Sequence, residues 1–201
     1  MVDEYKPSKN PEMYVRLHQR ELERFFEKDE MDQMNAIIDN RLYLGAQQAA
    51  GYLMPYQRSD QSLRTQALEN LYKYNITHIV CVCGEGEEWQ LYQNEGIKYL
   101  NCKLNDGNEA MIEESYPDFE RILKLSIPFI DEAIETGGAA LVHCASGAHR
   151  SASIICGYIM IKNKARLEDI FPNVFHKRPI ACPVYWKYLV YTLEPTLFTS
   201  N

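Results

Sequence analysis

Hydrophobic positions along this chain form short runs of strand length and longer stretches with helical spacing. Short runs bounded by turn residues predict strands, and apolar residues three or four apart predict amphipathic helices. The predicted order is a helix at 11–29, a strand–turn–strand unit at 36–44, a helix at 65–75, a strand at 78–83, a helix at 87–94, a strand at 97–103, a helix at 115–135, a strand at 139–143, and helices at 151–162, 166–175 and 183–194. Strands that alternate with helices indicate an α/β layer fold.

Three local signals for loops and helix ends refine this pattern. The polar segment 51–65 is longer than most connections and predicts a surface loop. Ser115 is the expected cap of the long helix at 115–135, and the pair Gly137-Gly138 is expected to end that helix.

The segment between the strand at 139–143 and the helix at 151–162 carries the clearest chemistry. Cys144 stands at the end of the strand, on a loop that leads into a helix N-terminus. A helix N-terminus offers unsatisfied N–H groups and partial positive charge, which stabilise a thiolate. The sequence therefore predicts that Cys144 is a nucleophile.

The same loop has the features of a phosphate cradle. Its backbone amides, over Ala145, Ser146, Gly147, Ala148 and His149, are suited to hold a dianion at the helix N-terminus. Gly147 allows a tight turn, and Arg150 adds a planar guanidinium that matches phosphate oxygens. A cradle with a nucleophile at its base indicates phosphoryl chemistry.

The composition of the chain limits the classes of partner and the compartment that we expect for it. It has 201 residues with 46% hydrophobic and 24% charged content, as expected for one globular domain. The net charge of −7 argues against nucleic acid or an anionic membrane as a partner. The first residues lack the apolar stretch of a signal peptide, so we expect the cytosol or the nucleus, with reduced cysteines.

A metal site is not expected from the cysteine pattern. Cys81-x-Cys83 has ligand-like spacing, but no second Cys/His pair with such spacing follows in the sequence. The two thiols are therefore interpreted as small buried hydrophobes, and we expect no cofactor.

The motif His143-Cys144-x-x-Gly147-x-x-Arg150-Ser151 resembles the signature loop of the cysteine-dependent protein phosphatases. Further stretches resemble the dual-specificity branch, and specifically its small, atypical, single-domain members: residues 37–45, 76–80, 104–106, 129–133 and 157–160. The resemblance implies a mixed, mostly parallel central sheet of about five strands flanked by helices, as in protein tyrosine phosphatases. It also implies a catalytic domain over 36–195, preceded by an N-terminal extension with an amphipathic helix (1–35) and followed by a tail (196–201).

The resemblance also implies roles for individual residues. Cys144 would form a cysteinyl-phosphate intermediate, and Ser151 would help the thiolate to leave in the second step. His143 would hold the loop and tune the thiolate. Asp106 matches the general acid that protonates the leaving oxygen, with Glu109 as the backup acid.

Three further residues follow from comparison with the family pattern. His149 replaces a small residue and would either contact the dianion or point into the protein. Arg178 matches a substrate-side position near a second phosphate. Cys83 matches a cysteine that pairs with the nucleophile in some relatives, which implies a reversible Cys83–Cys144 disulfide.

The expected function is hydrolysis of phosphotyrosine and phosphoserine/threonine in proteins. The acid loop and the depth-setting loop of the larger tyrosine-specific enzymes are absent, which implies a shallower pocket that admits both substrate types. Three alternatives stay open: a catalytically weak phosphoprotein-binding module, an RNA 5′-triphosphatase, which uses a similar cradle, and a scaffold or interaction protein built on the N-terminal helix.

Overall fold

The computed structural model describes residues 34–51, 61–84, 92 and 94–199. The predicted helix at 11–29 lies outside the described residues, as does most of the predicted helix at 87–94. No helix in the described part of the chain is long and apolar enough to cross a bilayer.

The described elements follow the predicted alternation of strands and helices. They are β1 (Met34–Ile38), β2 (Leu42–Ala46), α1 (Gln61–Lys73), β3 (Ile76–Cys81), β4 (Lys98–Asn101), α2 (Glu109–Glu114), α3 (Tyr116–Glu135), β5 (Ala139–Cys144), α4 (Arg150–Asn163), α5 (Leu167–Lys177) and α6 (Trp186–Tyr188), then a π-helical stretch (Leu189–Leu193) and α7 (Glu194–Phe198).

The strands form one five-stranded sheet in the order β1-β2-β5-β3-β4. Only β1 runs antiparallel to its neighbour, and the pairs β2–β5, β5–β3 and β3–β4 are parallel. The predicted α/β fold with a mixed, mostly parallel sheet is therefore confirmed. All six residues of β5 are buried, as its continuous apolar run predicts for a central parallel strand.

The two faces of the sheet are covered by different helices. Leu44, Val80 and Val142 share one hydrophobic cluster with residues of α3 and α4, including Phe119 and Ile155. The alternating residues on the other face share a second cluster with Leu71 of α1: Tyr43, Ile79 and Leu141. This alternation assigns Cys144 to the α3–α4 face and His143 to the α1 face.

The long helix α3 ends where the sequence predicts. Gly137 has a φ of +80°, and the amide of Gly138 donates to the Ala133 carbonyl oxygen at 2.8 Å. These are the left-handed residue and the long-range bond of a Schellman cap.

Ser115 stands at the N-cap position of α3, but its side chain does not cap the helix. Its hydroxyl instead donates to the Ile112 carbonyl and lies 2.8 Å from the Tyr185 hydroxyl.

Two local predictions are wrong. Residues 61–65 belong to α1 and not to the surface loop that was predicted to reach Thr65. The helix α2 was missed, although Asn108 is its N-cap and accepts a hydrogen bond from the Met111 amide at 3.1 Å. The signal was present as an Asn–Glu helix start, but it lay within a segment assigned to the acid loop.

Candidate active site

The site lies at the carboxyl end of β5, in the cradle loop (residues 144–150). Cys144 is the last residue of β5 and is fully buried, and α4 begins at Arg150. The loop therefore connects the end of a central parallel strand to a helix N-terminus, as the sequence predicts.

The carbonyl groups of the cradle loop are held by donors from surrounding segments. The Gln47 amide donates to Ala145 O, and the Cys182 amide donates to Ala148 O, at 3.1 and 2.7 Å. Arg178 donates to Ser146 O and Gly147 O at 3.0 and 2.8 Å. In a trans peptide the N–H points opposite to the C=O. These bonds therefore turn the N–H groups of residues 146–149 toward the inner side of the loop.

Gly147 cannot carry a side chain at this position. Its φ is +67°, a left-handed conformation that favours glycine. A Cβ there would lie 2.4 Å from the Gly45 carbonyl oxygen and 2.7 Å from the Arg178 guanidinium. The close approach of β2 and Arg178 to the loop thus requires glycine.

Arg150 carries a donor suited to an anion. Its side chain is only 12% exposed, and one terminal nitrogen lies 3.2 Å from Asp106 Oδ2. Its Nε is buried and has no hydrogen-bond partner among the described residues. A buried donor of a charged group is costly when unmatched, which fits a group built to receive an oxyanion.

Ser151 lies on the first turn of α4 and touches the thiol. Its hydroxyl donates to Cys144 Sγ at 3.2 Å, and both residues are fully buried. The hydroxyl is therefore in direct contact with the sulfur at the base of the cradle loop.

His143 lies on the opposite face of β5 from Cys144. It is buried, and its Nδ1 lies 3.4 Å from the backbone carbonyl oxygen of Cys144. Its Nε2 has no hydrogen-bond partner among the residues that the structure describes.

Asp106 reaches the cradle loop from the loop that follows β4. Its two carboxylate oxygens lie 2.9 Å from His149 Nδ1 and 3.2 Å from the Arg150 guanidinium. The structure therefore brings Asp106 and the cradle loop together. His149 was expected either to contact the dianion or to point into the protein. The structure shows a third arrangement, in which its ring contacts Asp106.

Tyr185 anchors the Asp106 loop and was not identified from sequence. Its hydroxyl donates to the Asn105 carbonyl at 3.1 Å, and its ring stacks on Phe119 with centroids 4.3 Å apart. A tyrosine in a C-terminal segment carries no sequence signal for this contact, which depends on how that segment packs on α3.

Arg178 does not occupy the predicted substrate-side position. It is fully buried and bonds the loop carbonyls and Asn35 Oδ1, the last at 2.6 Å. The sequence could not show that its charge faces backbone carbonyls. Arg178 therefore supports the loop from behind.

The carboxylate of Glu109, the predicted backup acid, is engaged in an ion pair. Glu109 begins α2, is 71% exposed, and forms an ion pair with Lys187, which also bonds Glu113. The adjoining cleft of 390 Å³ extends from His149 and Cys182 to this ion pair.

Cys83 has a different neighbour from the one predicted. Its sulfur lies 3.6 Å from that of Cys81, beside His143. Strand pairing points Cys81 and His143 to the face opposite Cys144, and Cys81 and Cys83 also pack against the hydrophobic cluster of α3 and α4. The geometry therefore favours Cys81 over Cys144 as the partner of Cys83.

Two other thiols are unsuited to nucleophilic chemistry. Burial raises the pKa of Cys156 far above its ordinary value, and it raises the pKa of Cys182 to about 12. Both stay protonated near neutral pH.

A buried cysteine lies at the base of a loop whose amides face inward, and an arginine and a carboxylate lie beside that loop. This arrangement is typical of cysteine-dependent phosphatases. A model of the dual specificity phosphatase catalytic domain matches residues 55–192. The chain therefore belongs to the dual specificity phosphatase family.

Curated relatives agree with this assignment. Dual specificity protein phosphatase 1 of Arabidopsis thaliana is 29% identical over 152 residues, which cover 76% of this chain and 64% of that protein. A probable rhodanese domain-containing dual specificity protein phosphatase of Dictyostelium discoideum is 32% identical over 147 residues, covering 73% of this chain and 26% of that protein. The chain thus spans less than two thirds of the length of these relatives.

Solved structures share the fold. The human tyrosine phosphatase-like serine/threonine/tyrosine-interacting protein superposes with a TM-score of 0.58 at 24% identity, covering 82% of this chain and 97% of that one. Human DUSP28 gives a TM-score of 0.57 at 24% identity, with coverage of 82% and 94%.

Replacing Arg178 tests its support of the loop. Arg178→Lys keeps the charge but loses the planar fork that reaches several acceptors, so we expect the free energy of unfolding to fall by about 1.5–3 kcal/mol. Urea denaturation measures this change. Arg166→Lys, at a partly exposed ion pair with Glu168, is the control and should stay within about 0.5 kcal/mol. Equal effects of the two substitutions would contradict the supporting role.

Proposed function

We propose that this chain hydrolyses phosphotyrosine and phosphoserine/threonine monoesters in proteins through a cysteinyl-phosphate intermediate on Cys144. The observation that carries the proposal is the cradle loop itself. Its carbonyls are turned away, its amides face inward above the thiol, and Arg150 Nε is buried without a partner among the described residues. That arrangement is complementary to a phosphoryl group and to the charge on its equatorial oxygens.

In the first step the Cys144 thiolate attacks phosphorus and the bond to the leaving oxygen breaks. Asp106, in its protonated form, gives its proton to that oxygen. Arg150 turns from Asp106 toward the equatorial oxygens, where its planar fork matches two of them. The products of this step are the free alcohol or phenol and the cysteinyl phosphate.

In the second step water attacks the cysteinyl phosphate. Asp106, now a carboxylate, accepts the proton of that water, and the S–P bond breaks. The Ser151 hydroxyl, already 3.2 Å from Cys144 Sγ, stabilises the departing thiolate. Inorganic phosphate is released, and the thiolate is restored.

Several features support the remaining parts of the proposal. A catalytic domain over 36–195 is supported by β2, which precedes the matched segment but pairs with β5 and is followed by Gln47, whose amide bonds the cradle loop. The strand β1 (Met34–Ile38) and the helix α7 (Glu194–Phe198) reach a few residues beyond these bounds. Six cysteines present as thiols suit a reducing compartment, the cytosol or the nucleus. A phosphoprotein is the proposed substrate, since the net charge of −7 disfavours nucleic acid.

Replacing the nucleophile tests the reaction class. Cys144→Ser should abolish hydrolysis of p-nitrophenyl phosphate and of phosphopeptides while leaving phosphopeptide binding measurable, because the amides and Arg150 remain. Cys102→Ser is the control and should keep full turnover. Wild-type protein that binds phosphopeptides without turnover would support a binding module. Preferential γ-phosphate release from 5′-triphosphorylated RNA would support the RNA 5′-triphosphatase.

Replacing the acid tests the role of Asp106. Asp106→Asn should lower kcat on phosphopeptides by about 10²–10⁴-fold, because the leaving oxygen loses its proton donor. The loss should be smaller on p-nitrophenyl phosphate, whose leaving group needs little protonation. Asp118→Asn, on the exposed face of α3, should change neither rate. Equal losses on both substrates would remove the acid role from Asp106.

Replacing His149 separates positioning from phosphate binding. Because its ring contacts Asp106, His149→Ser should lower kcat on phosphopeptides by about tenfold through misplacement of the acid, with little change in KM. The effect should largely vanish in an Asp106→Asn background. The exposed His176→Ser serves as the control. A rise in KM with unchanged kcat would instead place His149 on the dianion.

A further inference from the structure

Three side chains of types that can bind metal lie behind the cradle loop, at the end of β3 and β5. Cys81, Cys83 and His143 each offer one ligand atom, and these atoms lie within 4.8 Å of one another. The two sulfurs are 3.6 Å apart. All three residues are buried, with exposed fractions of 0%, 7% and 4%.

The register of the sheet creates this cluster. Cys81 pairs with His143 across the parallel strands β3 and β5, so their side chains point to the same face. Cys83 follows two residues after Cys81, beyond the end of β3, and returns to that face. Residues 60 positions apart in sequence thus meet at one strand end.

His143 provides an independent sign of a ligand. Its Nδ1 faces the Cys144 carbonyl oxygen at 3.4 Å and is the nitrogen placed to carry the proton. Its Nε2 is then left with a lone pair and is buried, and within normal distance and angle it has no hydrogen-bond partner among the described residues, while the Cys81 and Cys83 sulfurs lie beside the ring. An imidazole held by a backbone carbonyl at Nδ1 is oriented as metal-binding histidines are.

We propose that Cys81, Cys83 and His143 form a Zn²⁺ site. Two Zn–S bonds of about 2.3 Å at a tetrahedral angle place the sulfurs roughly 3.8 Å apart, close to the 3.6 Å observed. Two thiolates and a neutral imidazole also cancel the charge of Zn²⁺, so the filled site is electrically neutral in a buried region. Water would complete the tetrahedron.

Such an ion joins β3 to β5 directly before the nucleophile. His143 and Cys144 are consecutive, so a ligand bond to His143 fixes the strand end from which the cradle loop starts. The site is separate from the proposed chemistry, which uses the other face of the sheet and no metal. Its existence does not depend on the proposed function.

Metal titration of the full chain tests the proposal. Protein stripped with chelator and kept reduced with a phosphine is titrated with Co²⁺ as a spectroscopic probe and with Zn²⁺. We expect one equivalent to bind with a thiolate-to-cobalt charge-transfer band. Zn²⁺ should displace Co²⁺ and raise Tm by roughly 5–10 °C at a hundredfold excess over Kd.

Variants locate the bound ion. Cys81→Ser/Cys83→Ser should lose the charge-transfer band and the Tm shift, while Cys102→Ser and Cys144→Ser should keep both. Loss in Cys144→Ser with retention in the double variant would overturn the proposal, because the ion would then sit on the proposed nucleophile. Absence of stoichiometric binding by the wild-type chain would overturn it too.

X-ray absorption of the Zn²⁺-loaded wild-type chain needs no variant and so avoids any folding defect. We expect a first shell of two sulfurs at about 2.3 Å and an imidazole nitrogen at about 2.0–2.1 Å. A shell of oxygen and nitrogen alone, or one with a single sulfur, would refute the site.

Discussion

The site depends on hydrogen bonds that hold the carbonyl groups of the cradle loop outward. These bonds fix the orientation of the peptide planes above Cys144. The donors come from three separate segments: the turn after β2, Arg178 at the end of α5, and the Cys182 amide. Gly147 has no room for a side chain because the Gly45 carbonyl and the Arg178 guanidinium lie directly against it. The fully buried Arg178 thus holds two of the loop carbonyls from behind.

The central strand β5 carries two side-chain clusters at its end because strand residues alternate between faces. Cys144 faces the α3–α4 layer, where Ser151 donates to its sulfur. His143 points to the opposite face, beside Cys81 and Cys83. Both clusters are buried. A metal on one face would then act on the other only through the backbone that the two residues share.

Asp106 connects the loop after β4 to the cradle loop. Its two carboxylate oxygens contact the His149 ring and the Arg150 guanidinium. The hydrogen bond from Tyr185 to the Asn105 carbonyl holds the neighbouring backbone of the same loop. An anion bound in the cradle loop would therefore compete with Asp106 for the Arg150 guanidinium.

The sequence by itself determined the elements that local patterns encode. The apolar run of β5, the glycine-rich end of α3 and the spacing from His143 to Ser151 specified the strand, the helix end and the cradle, because each depends on neighbours a few residues away. Only the tertiary structure decided which distant groups meet. It buries Arg178 behind the loop and places the His149 ring against Asp106. It also pairs Glu109 with Lys187 and brings His143 next to Cys81 and Cys83. Those outcomes depend on sheet register and helix packing, which no local pattern records.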